Sequence, residues 1–260
     1  MTFLPGHRGY PTNVDTLLAA SEFVPFGLSH AVVVVVLAAV AATLVTIGRT
    51  QRGTPAEYRT SRTFAVVLAA FLVPLQIFWM LPSQWGVGHS LPLQLCDLAA
   101  LAAVWALWSH SQTAFALTYF WGLTLTAQAF VTPELNGPDF PSLEFLMFFG
   151  LHCLVVWAGV YLTWGVGLRP DWRSYRITVA ATIVWAVVMF AFNRATGTNY
   201  GFLNAKPVAG SLLDVLGPWP WYLLSELIVG AAVWALITWP WMRKQRGLRP
   251  APPAGVTTGA

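Results

Sequence analysis

Cys96, Asp97, His152 and Glu226 are side chains able to do covalent or acid–base chemistry, and all lie within otherwise apolar stretches of the sequence. Cys96 and Asp97 close the segment Leu91-Pro92-Leu93-Gln94-Leu95-Cys96-Asp97. A thiol becomes a nucleophile when a nearby base or cation favours its thiolate, and a third group commonly orients that base. Cys96, His152 and one of Asp97, Glu144 or Glu226 have the residue types for those three roles. An ionisable side chain in a membrane segment is costly unless it faces a protein interior or a wet cavity, so each is a site candidate by default. Plainer duties stay open beside that reading: a free Cys packs as a small hydrophobe, and a helix His can make an interhelical hydrogen bond. Cys153, about 100° round an ideal helix from His152, reads as packing. The sequence carries no Gly-x-Ser-x-Gly or His-Glu-x-x-His pattern and nothing that marks a metal or a cofactor.

The elements that must position these residues are membrane helices. Of 260 residues, 57% are hydrophobic and 9% charged, which excludes an ordinary soluble domain, where about a quarter are charged. Seven stretches approach the length needed to cross ~30 Å of hydrocarbon: 28–48, 64–81, 91–109, 114–132, 143–164, 177–193 and 221–242. The spacing predicts an all-α membrane protein, a seven-transmembrane helix bundle. Residues 1–27 lack the pattern of a cleaved signal peptide and read as an extracytoplasmic N-terminal segment. Eleven Lys and Arg fall in 49–63, 165–176 and after 242, against three elsewhere. Basic loops stay cytoplasmic, so the N-terminus is expected outside and the C-terminus inside. Basic residues in short loops, without interleaved aromatics, signal topology and not a nucleic-acid partner. The Pro-rich end of 243–260 reads as a disordered cytoplasmic tail. Two cysteines give no disulfide framework, and a Cys96–Cys153 bond is left open.

With helix directions set, His30, Gln76, Gln94, Cys96, Asp97, Gln128, Glu144, His152, Asn193 and Glu226 all fall in outer halves or at outer ends. That clustering predicts a polar chamber open to the outer leaflet, whereas an ion conduit would need polar groups continuing to the other side. On a helix running from Leu91, Cys96 would lie roughly 8 Å deep. The outer loop 194–220, dense in Gly, Pro and aromatics, reads as a defined turn-rich structure and a candidate lid. Candidate substrate-binding residues are Gln94, Gln128, Glu144, Asn193, Arg194, Asn199, Tyr200 and Lys206. Arg194 and Lys206 would pair with Glu226 or Glu144, or hold a lipid phosphate. The expected partners are membrane lipids. An outer-leaflet lipid-modifying enzyme, a small-solute or proton-coupled transporter, and a non-enzymatic lipid- or partner-binding protein all fit these features.

Three pieces together resemble one family: the Leu91–Asp97 segment, the His152 of Phe148-Phe149-Gly150-Leu151-His152, and the Asn199-Tyr200…Lys206-Pro207…Gly217-Pro218-Trp219-Pro220-Trp221-Tyr222 block. They are similar to the YwaF-like family of bacterial multipass integral membrane proteins, over residues 28–242. The resemblance implies the bacterial inner membrane. It also implies a distant similarity to a eukaryotic transmembrane enzyme that moves acyl chains between phospholipids with a membrane-embedded Cys and His. His152 matches the family's helix histidine. The family pattern has a His where this chain has Gln94, and the eukaryotic nucleophile aligns nearer Leu93. Cys96, three positions on, would share a helix face with Leu93.

Overall fold

Turn and capping residues decide where the apolar stretches become helices. The computed structural model describes residues 22–133, 135, 137–206 and 212–247. Residues 1–21, Pro207 and the tail beyond 247 lie outside the described residues. α1 is Leu28–Gln51 and α2 is Pro55–Met80. Gly53, at φ 76°, turns the chain between them, and Pro55 sits in the first turn of α2, where its missing N–H costs nothing. Glu57 accepts the Gly53 N–H at 2.8 Å. α2 therefore starts nine residues before its apolar stretch and carries Glu57, Arg59 and Arg62 on its end.

α3, Leu95–Ser109, is shorter than its apolar stretch. Pro92 disfavours helix in the residue before it, and Gln94 and Asp97 form a capping box at the helix start. The Gln94 backbone N–H donates to Asp97 Oδ2 at 3.0 Å. Residues 91–94 precede the helix, so the expectation that Cys96 lies a turn and a half below Leu91 is corrected. Cys96 is the second residue of α3. For the same reason Leu93 and Cys96 do not share a helix face.

α4 spans 112–130 and changes pitch along its length: α-helix Gln112–Leu117, π-helix Thr118–Leu125, then a 3₁₀ turn Thr126–Phe130. It follows α3 after His110 and Ser111, with His110 left-handed at φ 52°. His110 Nε2 lies 2.9 Å from Ser61 Oγ, and its Nδ1 is 3.7 Å from Glu57, which fixes the α3–α4 turn to α2. Burial holds the His110 imidazole below its ordinary pKa, against the pull of the Glu57 carboxylate. α5, Leu143–Val166, also ends in π-helix, over Tyr161–Val166. α6, Trp172–Thr196, is capped by Asp171, which accepts the Ser174 N–H at 2.7 Å, and ends at Gly197 with φ 72°. α7 is Trp221–Gly247.

Five helices, α1, α2, α5, α6 and α7, are long and apolar enough to cross a membrane. α3, at 15 residues, reaches about 22 Å at ~1.5 Å per residue. It nevertheless sits at the centre. Ala99, Ala100, Ala103 and Ala106 are buried in one cluster with Leu68 of α2, Phe115 and Phe120 of α4 and Val155 of α5. Small residues let membrane helices approach closely, which replaces the hydrophobic drive that lipid removes. The same device joins α1 to α5. A Cβ on Gly48 would lie 2.6 Å from the Cα of Gly165, and Arg52 closes that contact by donating to the Gly165 and Trp164 carbonyls.

Contacts define two ends of the bundle. The basic end gathers Arg49, Arg52, Trp164 and Gly165, with Gln112 donating to the Arg169 carbonyl. The opposite end gathers Phe23, His30, Phe130 and Phe149, with Gln94 meeting Gly201. All the candidate site residues belong to this second end.

Candidate functional site

α3, α4, α5, α6 and α7 enclose a cavity of about 760 Å³ with an opening to one side. Gln94 and Cys96 at the start of α3, Gln128 of α4, His152 of α5 and Glu226 of α7 all line it. Cys96 is half-buried and Cys153 buried; both are free thiols. Cys153 packs with Phe149 and Val156, as expected of it.

The hydrogen bonds of His152 fix its chemistry. Nδ1 lies 2.6 Å from the Phe148 carbonyl oxygen, which can only accept. The ring hydrogen of neutral His152 is therefore on Nδ1, and Nε2 keeps its lone pair. Among the described residues Nε2 has no hydrogen-bond partner. The neighbouring Phe148 ring, 4.6 Å centroid to centroid, holds the imidazole plane. His30 shows the contrast: its Nδ1 accepts the Phe26 N–H and its Nε2 meets the Phe130 carbonyl, so both nitrogens have structural partners.

Gln94 ties the cavity wall to the loop beyond α6. Its Oε1 accepts the Gly201 N–H at 3.0 Å. Trp185 of α6 donates its indole N–H to the Leu93 carbonyl at 2.9 Å, and Tyr200 accepts the Leu91 N–H and donates to the Val87 carbonyl. Irregular backbone packed against other elements needs such partners, because buried N–H and C=O groups must be satisfied. Segment 87–94 is thus a buttressed approach to α3, and Cys96 is held where the buttress ends. Gly201, Phe202 and Leu203 line the cavity, so the loop after α6 forms part of its wall.

The remaining expected site residues do other work. Asp97 does not line the cavity; its carboxylate caps α3. Asn193 is buried, and its amide bonds the backbone N–H and C=O of Tyr200 and the hydroxyl of Thr198. Tyr200 is buried as part of that clamp. Asn199 folds the loop by accepting from the Asn204 and Ala205 backbones. Lys206 is 3.5 Å from Asp214 and lies over the Tyr222 ring, not against Glu226 or Glu144. Arg194 and Glu144 are exposed on the ends of α6 and α5, away from the cavity. The ion pairs expected of Arg194 and Lys206 with Glu226 or Glu144 do not form among the described residues. No three His, Cys, Asp or Glu side chains gather there into a metal-ligand set.

The family model described as the TMEM164 family matches residues 25–238. The chain belongs to the TMEM164 family. It is a family of membrane proteins, and the match spans every cavity-lining residue and the loop before α7. The family found therefore agrees with the expectation of a multipass membrane protein and carries a different name from the YwaF-like one. No curated protein and no solved structure matches the chain.

Sequence reasoning missed Trp185, Thr182, Phe148 and Trp234 as cavity residues. One signal was available for the tryptophans. Most Trp in this chain mark helix ends, while Trp185 and Trp234, like Trp121 and Trp157, fall mid-helix, where an indole N–H must find an internal acceptor. Trp185 finds Leu93, and Trp234 finds Thr124 Oγ1 at 2.9 Å.

Proposed function

We propose that this chain is a lipid-modifying enzyme that transfers an acyl group on a phospholipid, with Cys96 as nucleophile and His152 as base. The observation that carries the reading is the His152 tautomer. An imidazole whose Nδ1 hydrogen is bound, and whose Nε2 has no partner among the described residues, lines the same cavity as a thiol. Cys96 stands in the first turn of α3, on the cavity wall.

In the proposed reaction the Cys96 proton passes to His152 Nε2, and the sulfur attacks the ester carbonyl carbon of a donor lipid. The carbon–oxygen bond breaks, the departing alcohol takes the proton from Nε2, and a thioester remains on Cys96. An acceptor hydroxyl then gives its proton to Nε2 while its oxygen attacks the thioester. The carbon–sulfur bond breaks, and the proton on Nε2 returns to the sulfur. Water as acceptor gives hydrolysis by the same path. The amides of Gln94 and Gln128 are the donors on hand for the oxyanion of each tetrahedral state, the kind of contact that stabilises acyl transfer most.

We also infer that all seven helices cross the bilayer, with the N-terminus outside, the cavity in the outer half and the basic end in the cytoplasm of a bacterial cell membrane. The basic asymmetry of the loops supports this orientation. A reporter fused after Arg246 is expected to be cytoplasmic and one inserted near Gly137 external; a cytoplasmic signal at 137 would invert the bundle. The transporter alternative is less supported, because the inner half of the cavity is lined by apolar groups and ends at Trp234 and Thr182, both hydrogen-bonded to α4 side chains. The deciding experiment is mass spectrometry of lipids from membranes with and without the chain. Remodelled acyl composition is expected only with it, and identical profiles would refute the enzyme reading.

A further inference from the structure

The cavity is longer than a headgroup site needs. Its lining runs from Pro220, just before α7, to Trp234, fourteen steps or roughly 21 Å, and on α6 from Val179 to Phe190, eleven steps or roughly 17 Å. One leaflet's chains fill about half of the ~30 Å hydrocarbon core, so the cavity matches a single acyl chain. Gln94, Cys96, Gln128 and His152 collect at the α3 start and Glu226 lies one turn before Gly230 on α7, while the half towards Trp234 is apolar apart from Thr182, whose hydroxyl is taken up by Trp121 and Thr178. The opening lies between α6 and α7. Val187, at 65% exposure, and Leu224, at 50%, line the cavity and also face outward.

Gly230 is the residue this arrangement leaves unexplained. Other glycines of the bundle are there for packing: a Cβ on Gly150 would meet Phe71 at 2.7 Å, and one on Gly159 would meet Leu123 at 3.0 Å. A Cβ on Gly230 would meet nothing within 4 Å. Gly230 is not among the residues with positive φ either. Neither close approach nor backbone conformation calls for glycine in the middle of α7, where it is a poorer helix former than alanine. What its missing side chain does is leave the apolar half of the cavity empty.

We propose that Gly230 sets how far an acyl chain enters the cavity between α6 and α7, with Trp234 as the floor, and so selects substrates by chain length. The proposal rests on the acyl-lipid reading of the same cavity. Any side chain at 230 larger than alanine projects into the path of the chain and shortens what fits.

The test is binding of lysophosphatidylcholines carrying laurate, palmitate or arachidate chains to the full-length protein, read by native mass spectrometry. Gly230→Leu is expected to weaken arachidate binding by about tenfold and to leave laurate within about twofold, which corresponds to ~1.4 kcal/mol of discrimination. Gly230→Ala is expected to fold at least as well as wild type and to fall between the two. Ala186→Leu on the facing α6 is the independent second variant and is expected to shift the series the same way. Equal losses at every chain length, no change at any, or no lysolipid binding to wild type would each overturn the proposal. Cys96→Ala separates the two readings. It is expected to keep the wild-type chain-length profile while losing transfer; transfer that persists in Cys96→Ala refutes the nucleophile and leaves the Gly230 result standing.

Discussion

Cys96→Ala is expected to abolish acyl transfer, and His152→Ala to reduce it by about 10²- to 10⁴-fold, the range a positioned general base supplies. The two losses differ in kind. Without the sulfur no thioester can form, so the covalent path is gone, whereas without His152 the thiol still reaches the ester but with only its own small thiolate fraction. Intact-mass spectrometry after a donor lipid is added without acceptor is expected to show an acyl adduct in wild type, a slow one in His152→Ala and none in Cys96→Ala. Cys153→Ala is the matched control, because Cys153 is 6% exposed among Phe149 and Val156. It is expected to keep both adduct and transfer. The thermal midpoint of Cys96→Ala is expected to stay within a few degrees of wild type, since the thiol is half-buried and has no hydrogen-bond partner among the described side chains. An adduct that survives Cys96→Ala, or transfer that does, would remove Cys96 from the chemistry.

The helices were legible because crossing a bilayer imposes a length and a composition that other structure does not need. The misplaced boundary is informative. Hydropathy counts Leu91, Leu93 and Leu95 as helix, but Pro92 and the reciprocal capping of Gln94 and Asp97 start α3 at Leu95. A polar residue followed three positions later by an acid was itself a start signal in the sequence. Reading Asp97 as a catalytic carboxylate overlooked that its nearest obligation is to the backbone. Asn193 and Asn199 read from the sequence as substrate-binding candidates, and both are saturated by loop groups. The side-chain amide of Gln128, His152 Nε2 and the Glu226 carboxyl are the contrast: these residues line the cavity, and those side-chain atoms show no hydrogen-bond partner among the described residues. A sequence shows which polar groups are present but not which are already satisfied, since partners such as Tyr200 and Gly201 for Asn193 and Gln94 come from another element. Gly201, Gly230 and Trp234 bear on the cavity through shape, which hydropathy and charge do not encode.

Gly201→Ala is expected to damage the site from outside the chemistry. Gly201 has φ 65°, a conformation that costs an L-residue roughly 1–2 kcal/mol. A Cβ there would also lie 2.2 Å from Cη2 of the Trp185 ring. Trp185 is 9% exposed, packs with Met189, Tyr200 and Leu203, and donates to Leu93 O. It cannot recede without releasing that carbonyl, and the carbonyl fixes the segment that delivers Cys96. Gly201 N–H is also the donor to Gln94 Oε1, at the N-cap of α3. Strain and overpacking together point to a loss of ~2–5 kcal/mol and to misplacement of the α3 start. Two readouts follow. The thermal midpoint is expected to fall by several degrees, and at temperatures where the variant is still folded, adduct formation on Cys96 is expected to slow by at least about tenfold. Trp185→Phe, which removes the indole N–H and makes room, is expected to restore part of the stability of Gly201→Ala and none of the adduct rate, because Leu93 O stays without its donor. If Gly201→Ala folds and forms the adduct at the wild-type rate, the 87–94 segment does not depend on the loop for its position, and the Trp185–Leu93 contact is only packing.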